Sequence, residues 1–209
     1  MSYHADAVHQ NLTRRAAPIE VRPSMGPVLD PLALQFVIWA QGAATPALDI
    51  GCGDGIATRA LLARGGHVVA VDPDATALHR LVEQVPTEQC RRLKVRLGRL
   101  PDIDFKLANF SAIHAAHVLH LLDPVSLEPS LRKFYRWLYP EGKLFVSVPT
   151  AMATCHAPRM HSQQRAFHPT EVTLRRLVSE AGFLIEESTT YLPWGGIQAC
   201  CALIARCPA

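Results

Sequence analysis

Short apolar runs alternate with stretches of helical spacing along most of the chain. The runs at 47–50, 68–71 and 111–115 are typical of strands that are buried on both faces, as strands of a parallel sheet are. Further strand-like runs lie at 143–148, 183–188 and 198–205. Because strands and helices alternate, the pattern predicts a doubly wound α/β sheet.

Helices are predicted between these runs. Asp30 is placed to cap a helix with Pro31 in its first turn, before the apolar stretch LALQFVIWA. Apolar residues at helical spacing predict three further helices: the segment 78–85, a segment after Ser126 whose apolar stripe runs to Leu138, and a segment after Thr170. Pro86 and Gly182 end the first and the last of these three segments.

A glycine-rich turn joins the first predicted strand to the next helix. In ALDIGCGDG, Gly51, Gly53 and Gly55 follow the apolar run directly, so a ligand can approach the backbone at the start of a helix. A phosphate loop is excluded, because its Lys and Ser/Thr are missing. A dinucleotide turn needs Gly or Ala at the position of Ile56, whose side chain would crowd the pyrophosphate.

Two carboxylates at strand ends narrow the choice of ligand. Asp49 precedes the glycines and would repel a pyrophosphate but attract a cationic amine. Asp72 closes the second strand, where a carboxylate can accept both hydroxyls of a ribose. The pattern therefore predicts a nucleoside ligand that carries an amine and no pyrophosphate.

LDIGCGDG followed by VVAVDPD resembles the first two motifs of the class I S-adenosylmethionine-dependent methyltransferases. The likeness continues through VRLGRLPDI, FSAIHAAHVLHLL, LYPEGKLFVSV and FHPTEVTLRRLVSEAGF, over roughly residues 29–205. It implies a Rossmann-like, doubly wound, mostly parallel seven-stranded sheet with its last strand antiparallel and helices on both faces. A single domain at 29–209 would follow an N-terminal arm or lid at 1–28.

The resemblance also implies a cofactor, S-adenosylmethionine, and a set of residues that bind it. Asp49, Gly51 and Gly53 would hold the methionine part, and Asp72 the ribose. The other expected cofactor-binding residues are Ile50, Cys52, Pro73, Gly98, Arg99, Leu100, Ala115, Ala116 and His117.

Some positions depart from the family pattern. The third motif commonly reads Gly-Asp-x, with the Asp accepting the adenine amino group, but here Arg99 stands in its place and cannot accept a hydrogen bond. Backbone atoms or Asp102 would have to serve instead. The usual Pro-Gly-Gly turn is Pro-Glu-Gly at 140–142. These departures support an alternative hypothesis, a catalytically weak or inactive member that acts as a binding or regulatory partner.

Substrate would lie over the carboxyl ends of the parallel strands. The polar segment 150–169 is expected to be a substrate-side loop, in which His156 and Arg159 could orient the acceptor, though solvated loop residues would look the same. Tyr191 and Trp194 are candidate substrate walls, or aromatic residues that plug the edge of the sheet. The candidate general bases are His120 and His161.

We expect methyl transfer to a small-molecule O- or N-nucleophile with S-adenosylhomocysteine as product. The net charge of +3 gives little reason to expect a nucleic acid. The basic segment 91–99 alternates with apolar residues, which is typical of an edge strand rather than an RNA-binding track. An NAD-dependent enzyme is disfavoured by Ile56.

Metal and membrane sites are also disfavoured by the sequence. His114, His117 and His120 do not share a helix face, and the six cysteines form no C-x-x-C pair, so no metal site is expected. No apolar run reaches the ~20 residues of a membrane span, and the polar start MSYHADAVHQNLTRR lacks a signal-peptide core. The expected location is therefore the cytoplasm.

Overall fold

The computed structural model describes residues 29–42, 45–150, 168–192 and 198–209. Seven strands in these residues form one sheet: β1 (Ala47–Ile50), β2 (Val68–Asp72), β3 (Leu93–Leu97), β4 (Phe110–Ala116), β5 (Leu138–Pro149), β6 (Leu184–Tyr191) and β7 (Cys200–Arg206). Their order is β3-β2-β1-β4-β5-β7-β6. Strands β1 to β5 pair in parallel, and β7 is antiparallel to both β5 and β6. The predicted topology is confirmed.

The helices lie between the strands as the apolar spacing predicts. They are α1 (Pro31–Trp39), α2 (Ile56–Ala63), α3 (Ala75–Gln84), α4 (Thr87–Cys90), α5 (Pro124–Trp137) and α6 (Glu171–Glu180), with 3-10 turns at Ala40–Gly42 and Leu119–Leu121. Asp30 caps α1 as predicted, because its carboxylate accepts from the Ala33 N–H at 2.9 Å, and Thr170 caps α6 by accepting from the Thr173 N–H at 3.2 Å. None of the described helices is long and apolar enough to span a membrane.

Helices cover both faces of the sheet. Side chains of α1, α2 and α3, among them Phe36, Leu62 and Leu81, pack on one face. Side chains of α5 and α6 pack on the other, with Phe134 and Trp137 fully buried. The central strands β1 and β4 thus lie inside the core, as their apolar sequences require.

The ends of some elements differ from the sequence prediction. Helix α5 begins at Pro124, two residues before Ser126, since proline favours the first position of a helix. Leu138, predicted to belong to the apolar stripe of this helix, has extended backbone and opens β5. Strand β3 is the predicted edge strand, and Lys94 and Arg96 are exposed on it.

Candidate functional site

The glycine-rich turn lies between the end of β1 and the start of α2. The N–H groups of Gly51 and Cys52 both donate to the Val71 carbonyl, at 2.8 and 3.0 Å, which fixes the turn against β2. Gly51 and Gly53 have positive φ values of 68° and 50°, a backbone conformation that favours glycine.

The two glycines are needed for different reasons. A Cβ on Gly51 would lie 2.4 Å from Cγ2 of Val118, so the protein itself fills the space beside this residue. A Cβ on Gly53 would meet no atom within 4 Å. The open space beside Gly53 is therefore available for a ligand that lies against the backbone of the turn, and it fits the methionine part of the cofactor that the sequence predicts.

Asp72 ends β2 beside this open space. One of its carboxylate oxygens accepts from the Gly53 N–H at 2.8 Å, and the other from the Asp74 N–H at 2.9 Å. An ionised carboxylate has about four lone-pair sites, so each oxygen can still accept from a ligand hydroxyl. Asp72 is thus held beside Gly53 in an arrangement that suits a ribose.

Asp49 lies beneath the turn and is 2% exposed. Its carboxylate accepts from the Thr58 hydroxyl at 2.6 Å, and its other oxygen lies 2.9 Å from Nδ1 of His114. The His114 ring stacks on Phe145, with centroids 5.0 Å apart. Asp49 is therefore engaged within the protein, and its expected interaction with a ligand amine stays a prediction.

The sequence reasoning missed this buried pair, because it weighed His114 only as a metal ligand. The register of β1 against β4 places Asp49 directly opposite His114, and the sequence itself carries no signal of that register. Cys52 lies nearby, and burial, followed by the charges of Asp49 and Asp72, raises the pKa of its thiol. The thiol is therefore protonated near neutral pH and is not a nucleophile.

Replacing His114 with Phe is expected to destabilise the protein by about 3 kcal/mol, because it leaves a buried carboxylate with Thr58 as its remaining side-chain partner. Urea unfolding followed by circular dichroism measures this difference. His114→Asn, which keeps a donor at a similar position, should recover part of the loss. Equal stability of His114→Phe and the wild type would contradict the role assigned to the pair.

Three histidines lie together near the carboxyl end of β4. His117 follows the strand with a φ of 55°, and its N–H donates to the Ser147 carbonyl at 2.8 Å. The ring centroid of His120 lies 6.3 Å from that of His117 and 6.3 Å from that of His168. Burial, His117 and His168 together lower the pKa of His120 to about 4. We call these three residues the histidine cluster.

Tyr191 is the last residue of β6, at the edge of the sheet where β4 also ends. Its hydroxyl donates to the Asp30 carboxylate at 3.2 Å, which ties β6 to the start of α1. Burial, and then the charge of Asp30, raise the pKa of the phenol. Desolvation lowers the pKa of His117, and the Asp30 carboxylate opposes this effect, so Asp30 acts on both groups. Trp194, His156, Arg159 and His161 lie outside the described residues.

The segment after β3 lies beside Asp72. The Gly98 N–H donates to the Asp72 carbonyl at 3.1 Å. Arg99 pairs with Asp102 at 3.3 Å, and both side chains are exposed. The adenine acceptor that replaces the usual Asp therefore stays a prediction.

The remaining expected cofactor residues differ in exposure. Ile50, Leu100 and Ala115 have buried side chains, Ala116 is partly buried, and Pro73 is exposed. In the part of the chain that the structure describes, no three His, Cys, Asp or Glu residues are grouped so as to hold a metal ion.

Comparisons with known proteins identify the class of protein that this fold and site define. Residues 47–142 match a family model described as a methyltransferase domain. A search of curated proteins gives no match.

Solved structures share the fold at low sequence identity. The Burkholderia thailandensis 1,6-didemethyltoxoflavin-N1-methyltransferase, solved with 1,6-didemethyltoxoflavin and S-adenosylhomocysteine, is 22% identical over 86% of this chain and 78% of its own, with a TM-score of 0.72. A Mesorhizobium loti S-adenosylmethionine-dependent methyltransferase is 18% identical over 84% and 96%, with a TM-score of 0.66. The Haemonchus contortus phosphoethanolamine N-methyltransferase 2 is 15% identical over 85% and 52%, with a TM-score of 0.70.

The methyltransferase domain at 47–142 and the seven-stranded fold around it agree with the resemblance seen in the sequence. Residues 47–142 thus match a methyltransferase domain, and the described residues share the fold of solved S-adenosylmethionine-dependent methyltransferases.

Proposed function

We propose that the protein transfers the methyl group of S-adenosylmethionine to an O- or N-nucleophile of a small molecule and releases S-adenosylhomocysteine. The observation that carries the proposal is the pairing of Asp72 with the Gly53 N–H beside open space. In this arrangement, the Asp72 carboxylate, which can accept the ribose hydroxyls, lies next to the Gly53 backbone, which no side chain covers.

The charges around the turn support this cofactor over a dinucleotide. The carboxylate of Asp72 closes β2 beside the turn, where it attracts a sulfonium or ammonium group and disfavours a pyrophosphate. Asp54, in the turn itself, is paired with Arg80 at 3.0 Å, so this arginine is not free to neutralise a phosphate.

The histidine cluster and Tyr191 support an acceptor site on the same side of the sheet. Bound S-adenosylmethionine supplies an electrophilic methyl group. His120 is the proposed base that takes the acceptor's proton, and it is uncharged near neutral pH because its pKa is lowered to about 4. A base this weak suits an acceptor that releases its proton readily. His161 is kept as a second candidate base.

A small molecule is favoured over a nucleic acid as the acceptor. Arg96 of the basic edge strand donates to the Asp104 carbonyl at 2.8 Å and lies over the Phe105 ring at 4.7 Å, so its guanidinium is engaged within the chain. The Burkholderia neighbour is described as methylating N1 of 1,6-didemethyltoxoflavin. We keep the cytoplasm as the expected location, which the free thiols of the described cysteines support.

The second candidate function is that of a catalytically weak or inactive binding partner. The observation that favours it is the pairing of Asp102 with Arg99, which stands where the family commonly has an adenine-binding Asp. A methyl-transfer assay separates the two functions. The protein is incubated with methyl-labelled S-adenosylmethionine and a panel of phenols, heteroaromatic N–H compounds and amines, and transfer of the label to any of these compounds is measured. Transfer to an acceptor supports the methyltransferase, and cofactor binding without any transfer supports the partner.

Replacing His120 with Gln is expected to lower kcat about 100-fold, because the group that accepts the proton is lost. Steady-state kinetics with the best acceptor from the panel measures this change. His79→Gln is the matched control, since His79 is exposed on α3, where it pairs with Glu83. Equal kcat values for His120→Gln and His79→Gln would exclude His120 as the base.

The pH profile gives a separate reading of the same group. The unprotonated form of His120 is the active one. As the pH is lowered from neutral, kcat/KM should therefore stay constant until the pH falls through about 4, where His120 becomes protonated. An ordinary histidine would already cause this fall near 6.5. A fall centred near 6.5 would contradict the lowered pKa.

A further inference from the structure

His168 is the member of the histidine cluster to which the proposed reaction gives no role. Its ring lies nearly parallel to that of His120, with an interplanar angle of 23°, whereas His117 meets His120 edge to face at 87°. Two imidazoles thus lie near the partly buried His120, and they come from different parts of the chain, one at the end of β4 and one just before α6.

The backbone next to His168 is held in place by buried hydrogen bonds. Thr150, which follows β5 and is 6% exposed, donates its hydroxyl to the Pro169 carbonyl at 2.7 Å. The Thr150 N–H donates to the Ala199 carbonyl at 2.9 Å, next to the start of β7. Thr170 then caps α6. The backbone that follows His168 is therefore held by hydrogen bonds at Pro169 and Thr170, while the His168 side chain is exposed.

The surroundings of His120 oppose its protonation. Nδ1 of His120 is buried and has no hydrogen-bond partner among the described residues, so a proton on this atom would lack an acceptor. Burial, followed by the charges of the other two members of the cluster, lowers the pKa of His120, whereas Asp30 acts on the pKa of His117. A positive charge on His120 would be both poorly solvated and close to two further titratable rings.

We propose that His168 is a positioning residue that acts through His120: it fixes the plane of the His120 imidazole and shields that ring from water. The inference rests on the proposed role of His120 in methyl transfer. As the acceptor atom forms its bond to the methyl carbon, the carbon–sulfur bond breaks and its electron pair stays on sulfur. The acceptor's proton moves to a ring nitrogen of His120 and later returns to solvent.

The test is an NMR titration of the His120 ring Cε1–H signal in the full chain without substrate, with His120→Gln used to assign the signal. In His168→Ala, the apparent pKa of His120 should rise by about one unit towards its ordinary value, because burial and a neighbouring imidazole are both removed. His168→Phe keeps a ring of similar shape and should give a smaller rise. Thr150→Val, which removes the hydroxyl but keeps the volume, should shift the signal in the same direction.

The activity profile provides the second readout. The acid limb of kcat/KM should move to higher pH in His168→Ala by the same amount as the NMR titration, and His168→Phe should largely restore it. A merely structural role would lower the rate without moving the limb. A His120 titration that is unchanged in His168→Ala overturns the inference. The NMR titration needs no substrate, so it tests the contact between His168 and His120 separately from methyl transfer. If the pKa of His120 rises in His168→Ala but the protein transfers no methyl group, the proposed function is overturned and the contact between the two histidines is still supported.

Discussion

Replacing Asp72 with Ala is expected to weaken the binding of S-adenosylmethionine at least about 100-fold. The reason is that two charge-assisted hydrogen bonds to the ribose hydroxyls would be lost, each contributing about 1.5 kcal/mol. The change also removes the acceptor that holds the Gly53 N–H at 2.8 Å, so the turn beside the ligand loses its fixed position. Both effects act in the same direction on affinity.

Isothermal titration calorimetry measures this loss, and Asp74→Ala is the matched control. Asp74 is an exposed carboxylate two residues further on that caps α3 through the Thr76 N–H at 2.8 Å. Its loss should cost about 1 kcal/mol of stability and leave the affinity for the cofactor nearly unchanged. An Asp72→Ala protein that binds as tightly as Asp74→Ala would show that the ribose is held elsewhere.

Gly53→Ala is expected mainly to weaken cofactor binding, whereas Gly51→Ala is expected mainly to lower stability. At Gly53 a methyl group meets no protein atom within 4 Å, so its cost is that of a left-handed residue, about 1–2 kcal/mol. The same methyl group would occupy the space assigned to the cofactor. The affinity for the cofactor should therefore fall about 100-fold, because overpacking of this kind costs about 3 kcal/mol of binding free energy. This variant should therefore be folded but unable to bind.

Gly51→Ala carries the same backbone cost and a steric conflict in addition. Its Cβ would lie 2.4 Å from Cγ2 of Val118, so the turn or the segment after β4 must shift, at a total cost of roughly 3 kcal/mol. Urea unfolding and calorimetry on both variants separate the two effects. A Gly53→Ala protein with unchanged affinity would contradict the placement of the ligand against this turn.

Features encoded by neighbouring residues could be predicted from the sequence. The apolar run before Gly51 and the helical spacing after it determine a strand, a turn and a helix, and the predicted turn is present at the end of β1. The cap at Asp30 is equally local, since the carboxylate and the Ala33 N–H that it binds are three residues apart. Such elements depend on backbone preference and burial within one short stretch.

Contacts between distant segments could not be predicted in the same way. The pair of Asp49 and His114 joins residues 65 positions apart and depends on the register of β1 against β4, which no local pattern determines. The packing of His168 on His120 likewise depends on the hydrogen bond that ties Thr150 to Pro169 across 19 positions. The start of β5 at Leu138 depends on its pairing with Phe110, which overrides the helical spacing of the sequence.

The most direct measurement is calorimetric titration of the wild-type protein with S-adenosylmethionine, S-adenosylhomocysteine and NAD. The turn at Gly53 and the carboxylate of Asp72 predict micromolar binding of the first two ligands and none of NAD. Binding of NAD, or binding of none of the three ligands, would contradict the assignment of this site to S-adenosylmethionine.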